Sequence, residues 1–173
     1  MRRLFIATLL AAGLAASAAA PALAAGTVIL ANGGHYFTAY GPSSAWRYDW
    51  GEGYCGKIAG WCSPGHFQWT TITKAYPATV KASWTNPSPV SYFTRVSAFV
   101  PRKDATATID YAIAFDHISG TLATVAQSIY YDQWVPLTSN ASLSYVTRVD
   151  LGNATWYGSA SDKVAFDEIK IEN

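Results

Sequence analysis

The chain has 173 residues, half of them hydrophobic and 14% aromatic, with 13% charged and a formal net charge of +1. That composition excludes a solvated, disordered chain, which is poor in apolar residues and rich in charge. The near balance of charge, with no cluster of Lys and Arg, also argues against a nucleic-acid partner, whose phosphates must be neutralised by such clusters.

The amino terminus reads as an export signal. Met1-Arg2-Arg3 supplies a charged start, Leu4 to Ala16 an apolar run, and Ala22-Leu23-Ala24 the small residues of a cleavage site. Residues 1–24 are therefore expected to be removed as a secretion signal, leaving 25–173 as a single domain. Arg2-Arg3 faintly echoes a twin-arginine leader, but an ordinary secretion signal accounts for it. Without Arg2 and Arg3, ten basic residues face eleven acidic ones, a net charge of about −1. No later apolar run nears the roughly 18 residues of a membrane span. A secreted protein is expected, with no membrane contact after cleavage.

Helical periodicity is nearly absent beyond Ala25, whereas strand patterns recur. In chain order the candidates are Val28–Leu30, Tyr36–Thr38, Trp69–Thr73, Thr79–Trp84, Tyr92–Val100, Ala105–Phe115, Thr121–Gln127, Gln133–Leu137, Val146–Leu151 and Lys163–Ile171. Ala105 to Phe115 alternates best, with Ile109, Tyr111 and Ile113 on one face and Thr108, Asp110 and Ala112 on the other. Asp116 to Gly120 reads as the hairpin turn that follows. In the last candidate, Val164 and Phe166 share one parity and Ile169 and Ile171 the other. Either a bulge near Asp167-Glu168 resets the alternation, or both faces are covered. About ten short strands separated by turn residues predict an all-β fold, an antiparallel two-sheet β-sandwich of jelly-roll-like kind.

The stretch from Tyr36 to Trp69 differs in composition, since ten of its 34 residues are aromatic. Glycine and proline share it, so much of it is expected to be surface loop. Cys55 and Cys62, the two cysteines, lie within it. In an exported protein two thiols this close are expected to pair as a disulfide. A zinc site of these cysteines with His66 and His35 is the competing reading, but the spacing is unlike that of C-x2-C knuckles.

The second half resembles golvesin C-terminal and xanthan-lyase carbohydrate-binding-like domains. Arg95 to Pro101 (RVSAFVP) resembles their strand ending in proline, and Thr106 to Thr121 their next strand and its turn. Val125-Ala-Gln127 followed by Gln133-Trp-Val-Pro-Leu137 is similar to their V-x-Q and W-V-x-L elements. Val164 to Ile171 resembles the closing strand. The likeness covers Tyr92 to Ile171, about half of the mature chain. It implies a jelly-roll-like sandwich of an exported protein that binds polysaccharide, with no catalytic residues to carry over. Gln127 and Trp134 match structural signature positions, and Asp167 is implied to hold a neighbouring loop. The Cys55–Cys62 element has no counterpart in that pattern.

A pyranose presents C–H faces that lie on aromatic rings, and its hydroxyls need nearby polar groups. Trp46, Tyr48, Trp50, Tyr54 and Trp61 are the candidate rings, with Asp49, Glu52 and Arg47 for the hydroxyls. If extended, Trp46, Tyr48 and Trp50 share one face, which suits a ligand platform or a core stripe equally. Asp49 and Glu52 also pose as a glycosidase pair, and Asp116, His117 and Ser119 as a triad. Turn chemistry accounts for the latter, and no G-x-S-x-G elbow exists. Asp162, Asp167 and Glu168 lack a calcium-loop spacing, so neither metal nor cofactor is expected. Asn140 and Asn153 each begin an N-x-[ST] pattern and are expected to be turn residues. The expected function is non-catalytic binding of polysaccharide or cell-wall glycan. A protein-interaction module, an envelope component or an inhibitor is the alternative, and a small glycan-active enzyme ranks third.

Overall fold

A computed structural model describes residues 26–60, 66–87, 95–115, 118–138 and 145–172. The strands in chain order are β1 (Thr27–Leu30), β2 (Phe37–Tyr40), β3 (Arg47–Trp50), β4 (His66–Thr71), β5 (Lys81–Thr85) and β6 (Arg95–Val100). They continue as β7 (Thr108–Phe115), β8 (Ile118–Ala126), β9 (Gln133–Pro136), β10 (Val146–Gly152), β11 (Lys163–Phe166) and β12 (Ile169–Glu172). All pair antiparallel, and the fold is the expected all-β sandwich. Its sheets are open: a five-stranded sheet in the order β2-β5-β10-β7-β8, a four-stranded sheet β1-β12-β6-β9 and a three-stranded sheet β11-β4-β3. The third sheet departs from the expected two. Its strand β3 lies in the stretch expected to be mostly surface loop, where Trp46, Tyr48 and Trp50 alternate with Arg47 and Asp49. Among the described residues no helix is long and apolar enough to cross a membrane.

Alternation explains the five-stranded sheet. Ile109, Tyr111 and Ile113 of β7 are buried, while Thr108, Asp110 and Ala112 between them stay partly exposed. Ile113 lies opposite Val149 of β10, which lies opposite Trp84 of β5; Tyr111, Leu151 and Ala82 form the next row. Side chains directly opposed in register share a face, so these rows make one apolar layer. Burying each large side chain contributes roughly 1.5–3 kcal/mol.

The parity fault in the last segment has a different solution from a bulge. The strand breaks at Asp167-Glu168: β11 pairs with β4, whereas β12 pairs with β1 and β6. Changing sheets lets Val164 and Phe166, then Ile169 and Ile171, all reach the interior. Val164, Ala165 and Phe166 are each buried, so both faces of β11 are covered. The turn expected at Asp116 to Gly120 falls partly outside the described residues.

Two positions implied by the family resemblance are structural. Gln127 is fully buried; its amide nitrogen donates to the Tyr111 hydroxyl and the Ala165 carbonyl, and its oxygen accepts from the Ala165 N–H, each at 3.0 Å. Burial pushes the Tyr111 phenol up from its ordinary value, against the Gln127 hydrogen bond. Asp167, also buried, accepts from the Tyr54 N–H at 3.2 Å and so fixes the neighbouring loop. The chain can approach that carboxylate because residue 53 is glycine. It has φ 76°, and a Cβ there would collide with Asp167.

Candidate functional site

The three-stranded sheet positions the aromatic residues of the first half. Arg47, Tyr48, Asp49 and Trp50 of β3 lie opposite Trp69, Gln68, Phe67 and His66 of β4. Tyr48 and Trp50 therefore share one face of an edge strand and Asp49 takes the other. The two rings are exposed, Tyr48 at 50% and Trp50 at 68%. They stack at 17° with centroids 6.3 Å apart, and buried His66 lies behind them, 4.4 Å from Trp50 and 5.3 Å from Tyr48. A face of apolar rings backed by an ordered side chain is held in place before any ligand arrives, which lowers the entropy lost on binding.

Trp46 does not belong to this surface. It is 5% exposed, and its ring meets Phe166 edge-on at 4.9 Å. It has the parity of Tyr48 and Trp50, but at its end of the strand Phe166 covers that face. Over the five residues from Trp46 to Trp50 the same face passes from core to solvent, so the two readings of the stripe apply to different ends. Trp46→Ala is expected to destabilise the fold by about 3 kcal/mol, seen as a lower urea midpoint, without altering the exposed pair.

Asp49 also departs from its expected place beside the rings. It points to the opposite face, within 3.1 Å of Lys103 and in hydrogen-bond contact with Asp104. Burial and the Asp104 contact raise the Asp49 carboxyl above its ordinary value, against Lys103. Burial opposes the shift of Asp104, but the bond from Lys163 and the Asp49 contact outweigh it and hold that carboxyl below its ordinary value. The Asp49 bond raises Lys103 in turn. Glu52 pairs with Lys57 at 3.5 Å, and Lys57 also lies 3.6 Å from Asp132. Asp49 is thus on the face away from the exposed rings, and Glu52 is engaged by a lysine. Asp49 and Asp104, in mutual contact, are closer than the roughly 5–10 Å between the carboxyl groups of glycosidases.

Tyr54 joins a separate cluster, half-buried, 4.9 Å from Trp134 and 5.3 Å from Phe99. Lys170 covers the Trp134 ring at 5.0 Å. The main chain from Tyr54 to Ala59 forms one π-helical turn with Cys55 buried. Trp61 and Cys62 lie outside the described residues, and with them the fifth candidate ring and the Cys55–Cys62 pairing. Among the described residues no group of three metal-ligating side chains gathers. Asp162 instead accepts from the Ser159 N–H at 2.7 Å within its own turn.

A second aromatic surface lies outside the Tyr36–Trp69 stretch. Tyr76 and Trp156 stack with centroids 5.0 Å apart, in the loops that follow Thr73 and Ala154, which bridge. The adjacent pair Trp156-Tyr157, set between turn residues, is the signal that marks it in the sequence.

No family model matches the chain, and no curated protein matches it. Among solved structures it is similar to a Paenibacillus xanthan lyase, with a TM-score of 0.59 and 12% identity over 84% of this chain. It is also similar to the catalytic domain of a GH87 α-1,3-glucanase in complex with tetrasaccharides, with a TM-score of 0.42 and 12% identity over 85% of this chain. The aligned regions span 13% of the lyase chain and 28% of the glucanase chain. The likeness to the lyase is one of fold.

Proposed function

We propose that this chain is a non-catalytic module that binds polysaccharide through the Tyr48–Trp50 surface. The observation that carries the reading is the exposed, nearly parallel ring pair on an edge strand. Indole and phenol faces suit the C–H faces of sugar rings, and their two centroids offer consecutive contacts. The fold likeness to a xanthan lyase and the sequence resemblance to xanthan-lyase carbohydrate-binding-like domains support the same reading. The non-catalytic part is supported by the carboxylates: Asp49 lies on the strand face opposite the rings, and Asp49 and Glu52 are each paired with a lysine. On this proposal the protein is secreted, residues 1–24 are removed, and Cys55 joins Cys62 to close the intervening loop.

The test is depletion of the purified protein from solution by insoluble cell-wall and plant polysaccharides, followed by tryptophan fluorescence. Tyr48→Ala with Trp50→Ala is expected to weaken retention about 30-fold, the scale of a well-placed aromatic contact. The fold should survive, because both side chains face water. Undiminished retention by the double variant would remove this surface from the proposal. Failure of every glycan to retain the wild type would favour a protein partner at the same rings.

A further inference from the structure

We infer that the Tyr76–Trp156 surface is a second binding site for a neutral saccharide, separate from the one on β3. The inference rests on the glycan-binding reading above and adds a ligand surface on different elements. Trp156, at 72%, is the most exposed large apolar side chain among the described residues, and Tyr76 is 53% exposed. Their rings lie within 27° of parallel, and beside Tyr76 opens a cleft of about 320 Å³ that Leu122 and Asp110 also line. Clefts of this size fall at the small end of those that hold ligands, and a mainly apolar lining with few polar groups is their usual chemistry.

The polar group is specific. Asp110 projects from β7, and its Oδ1 accepts from the Thr124 hydroxyl at 2.5 Å. Oδ2 makes no hydrogen bond among the described residues, which leaves an acceptor for a sugar hydroxyl. The lysine beside the ring pair is already engaged: Lys74 donates to the carbonyls of Trp156, Tyr157 and Gly158 at 3.1, 2.6 and 2.9 Å. An ammonium has three protons to donate, so Lys74 has none left for an anion. Lys81, opposite the cleft-lining Gly152, is held over the Tyr40 ring at 4.7 Å, so the charge that faces the cleft is the Asp110 carboxylate, which favours a neutral ligand over an acidic one.

The surface is also rigid. The Thr73 N–H donates to the Asn153 carbonyl at 2.8 Å, and the Thr155 N–H donates to the Thr73 carbonyl at 3.1 Å. The buried Asn153 side chain accepts from the Thr79 and Val80 N–H groups and donates to the Thr71 carbonyl. Two loops are thereby joined into one support, and rings held by it lose little freedom on binding. Trp50 lies opposite His66 at the start of β4, whereas Thr73 follows its end. At strand rise that separation is roughly 20–25 Å along the chain. Two sites that far apart on one small module would engage a polymer bivalently.

The experiment titrates neutral hexasaccharides of β-1,4-glucan, α-1,3-glucan, xylan and mannan, with a polyuronate oligomer as the acidic control. Calorimetry reads the stoichiometry, and retention on the insoluble polymer reads avidity. The expected result is two sites per chain in the wild type and one in each of Tyr76→Ala/Trp156→Ala and Tyr48→Ala/Trp50→Ala. Polymer retention should fall about tenfold or more in each. Asp110→Asn should weaken the second site alone, and circular dichroism should show every variant folded. Wild-type stoichiometry and retention in Tyr76→Ala/Trp156→Ala would overturn the second site while leaving the first intact. Binding lost only in that variant would support the second site and remove the first. Tighter binding of the polyuronate, or no saccharide binding by the wild type, would overturn the inference.

Discussion

Raising the pH from 5 to 9 is expected to remove roughly 4 kcal/mol of stability through Glu168 alone. Glu168 lies in the break between β11 and β12, and its side chain is fully buried. One carboxyl oxygen receives the Asn32 N–H at 3.4 Å, and the other has no partner. Burial pushes its pKa from 4.5 to about 8, with the Asn32 bond opposing the shift. The folded chain therefore holds this proton more tightly than the unfolded chain. The stabilisation is complete below about pH 4.5 and is lost as pH rises through 8. A loss of that size is a large share of the stability of an ordinary domain. Urea unfolding at pH 5, 7 and 9 should show the decline, and Glu168→Gln, similar in shape and neutral throughout, should flatten it. A wild type and variant with the same slope from pH 5 to 9 would assign the proton elsewhere.

The second large effect is expected at Gln127. Gln127→Ala would strand the buried Ala165 N–H and carbonyl and the Tyr111 hydroxyl, and would open a cavity between the β8–β9 connection and β11. Each orphaned polar group costs about 1–3 kcal/mol and the cavity adds to that, so a loss of about 4–5 kcal/mol is expected in urea unfolding. Tyr111→Phe is the control, since it removes one of the three bonds and leaves the Ala165 pair intact; about 1 kcal/mol should follow. If the two variants unfold alike, Gln127 is not the tie between the five-stranded and three-stranded sheets. That tie explains why glutamine stands where an apolar residue would otherwise be expected. The three-stranded sheet that carries Tyr48 and Trp50 is held in place partly through Ala165 of β11.

Legibility varied with the reach of the contacts involved. The pattern from Ala105 to Phe115 marked β7 because one buried face imposes a period of two on the sequence itself. The strand expected over Thr79–Trp84 was readable for the same reason, and Ala82 and Trp84 of β5 are buried on one face. β3 was less legible, because its aromatic alternation is short and lies in a Gly- and Pro-containing stretch expected to be mostly surface loop. The parity change at Asp167-Glu168 was visible as a fault, but not as a change of sheet. Bulge and sheet change leave the same local pattern and differ only in which distant strands pair. In the candidate site, the shared parity of Trp46, Tyr48 and Trp50 was legible, whereas their opposite exposures were not.

The sequence by itself determined the all-β class, through alternation and frequent turn residues, and marked the aromatic wealth of the first half. Tertiary structure alone decided that Phe166 covers Trp46 while Tyr48 and Trp50 stay in water, and that Asp49 turns to Lys103. It also decided that Tyr76 and Trp156, 80 positions apart, stack on one support. The physical reason is that alternation is set within a strand, whereas exposure depends on what a distant segment lays over it.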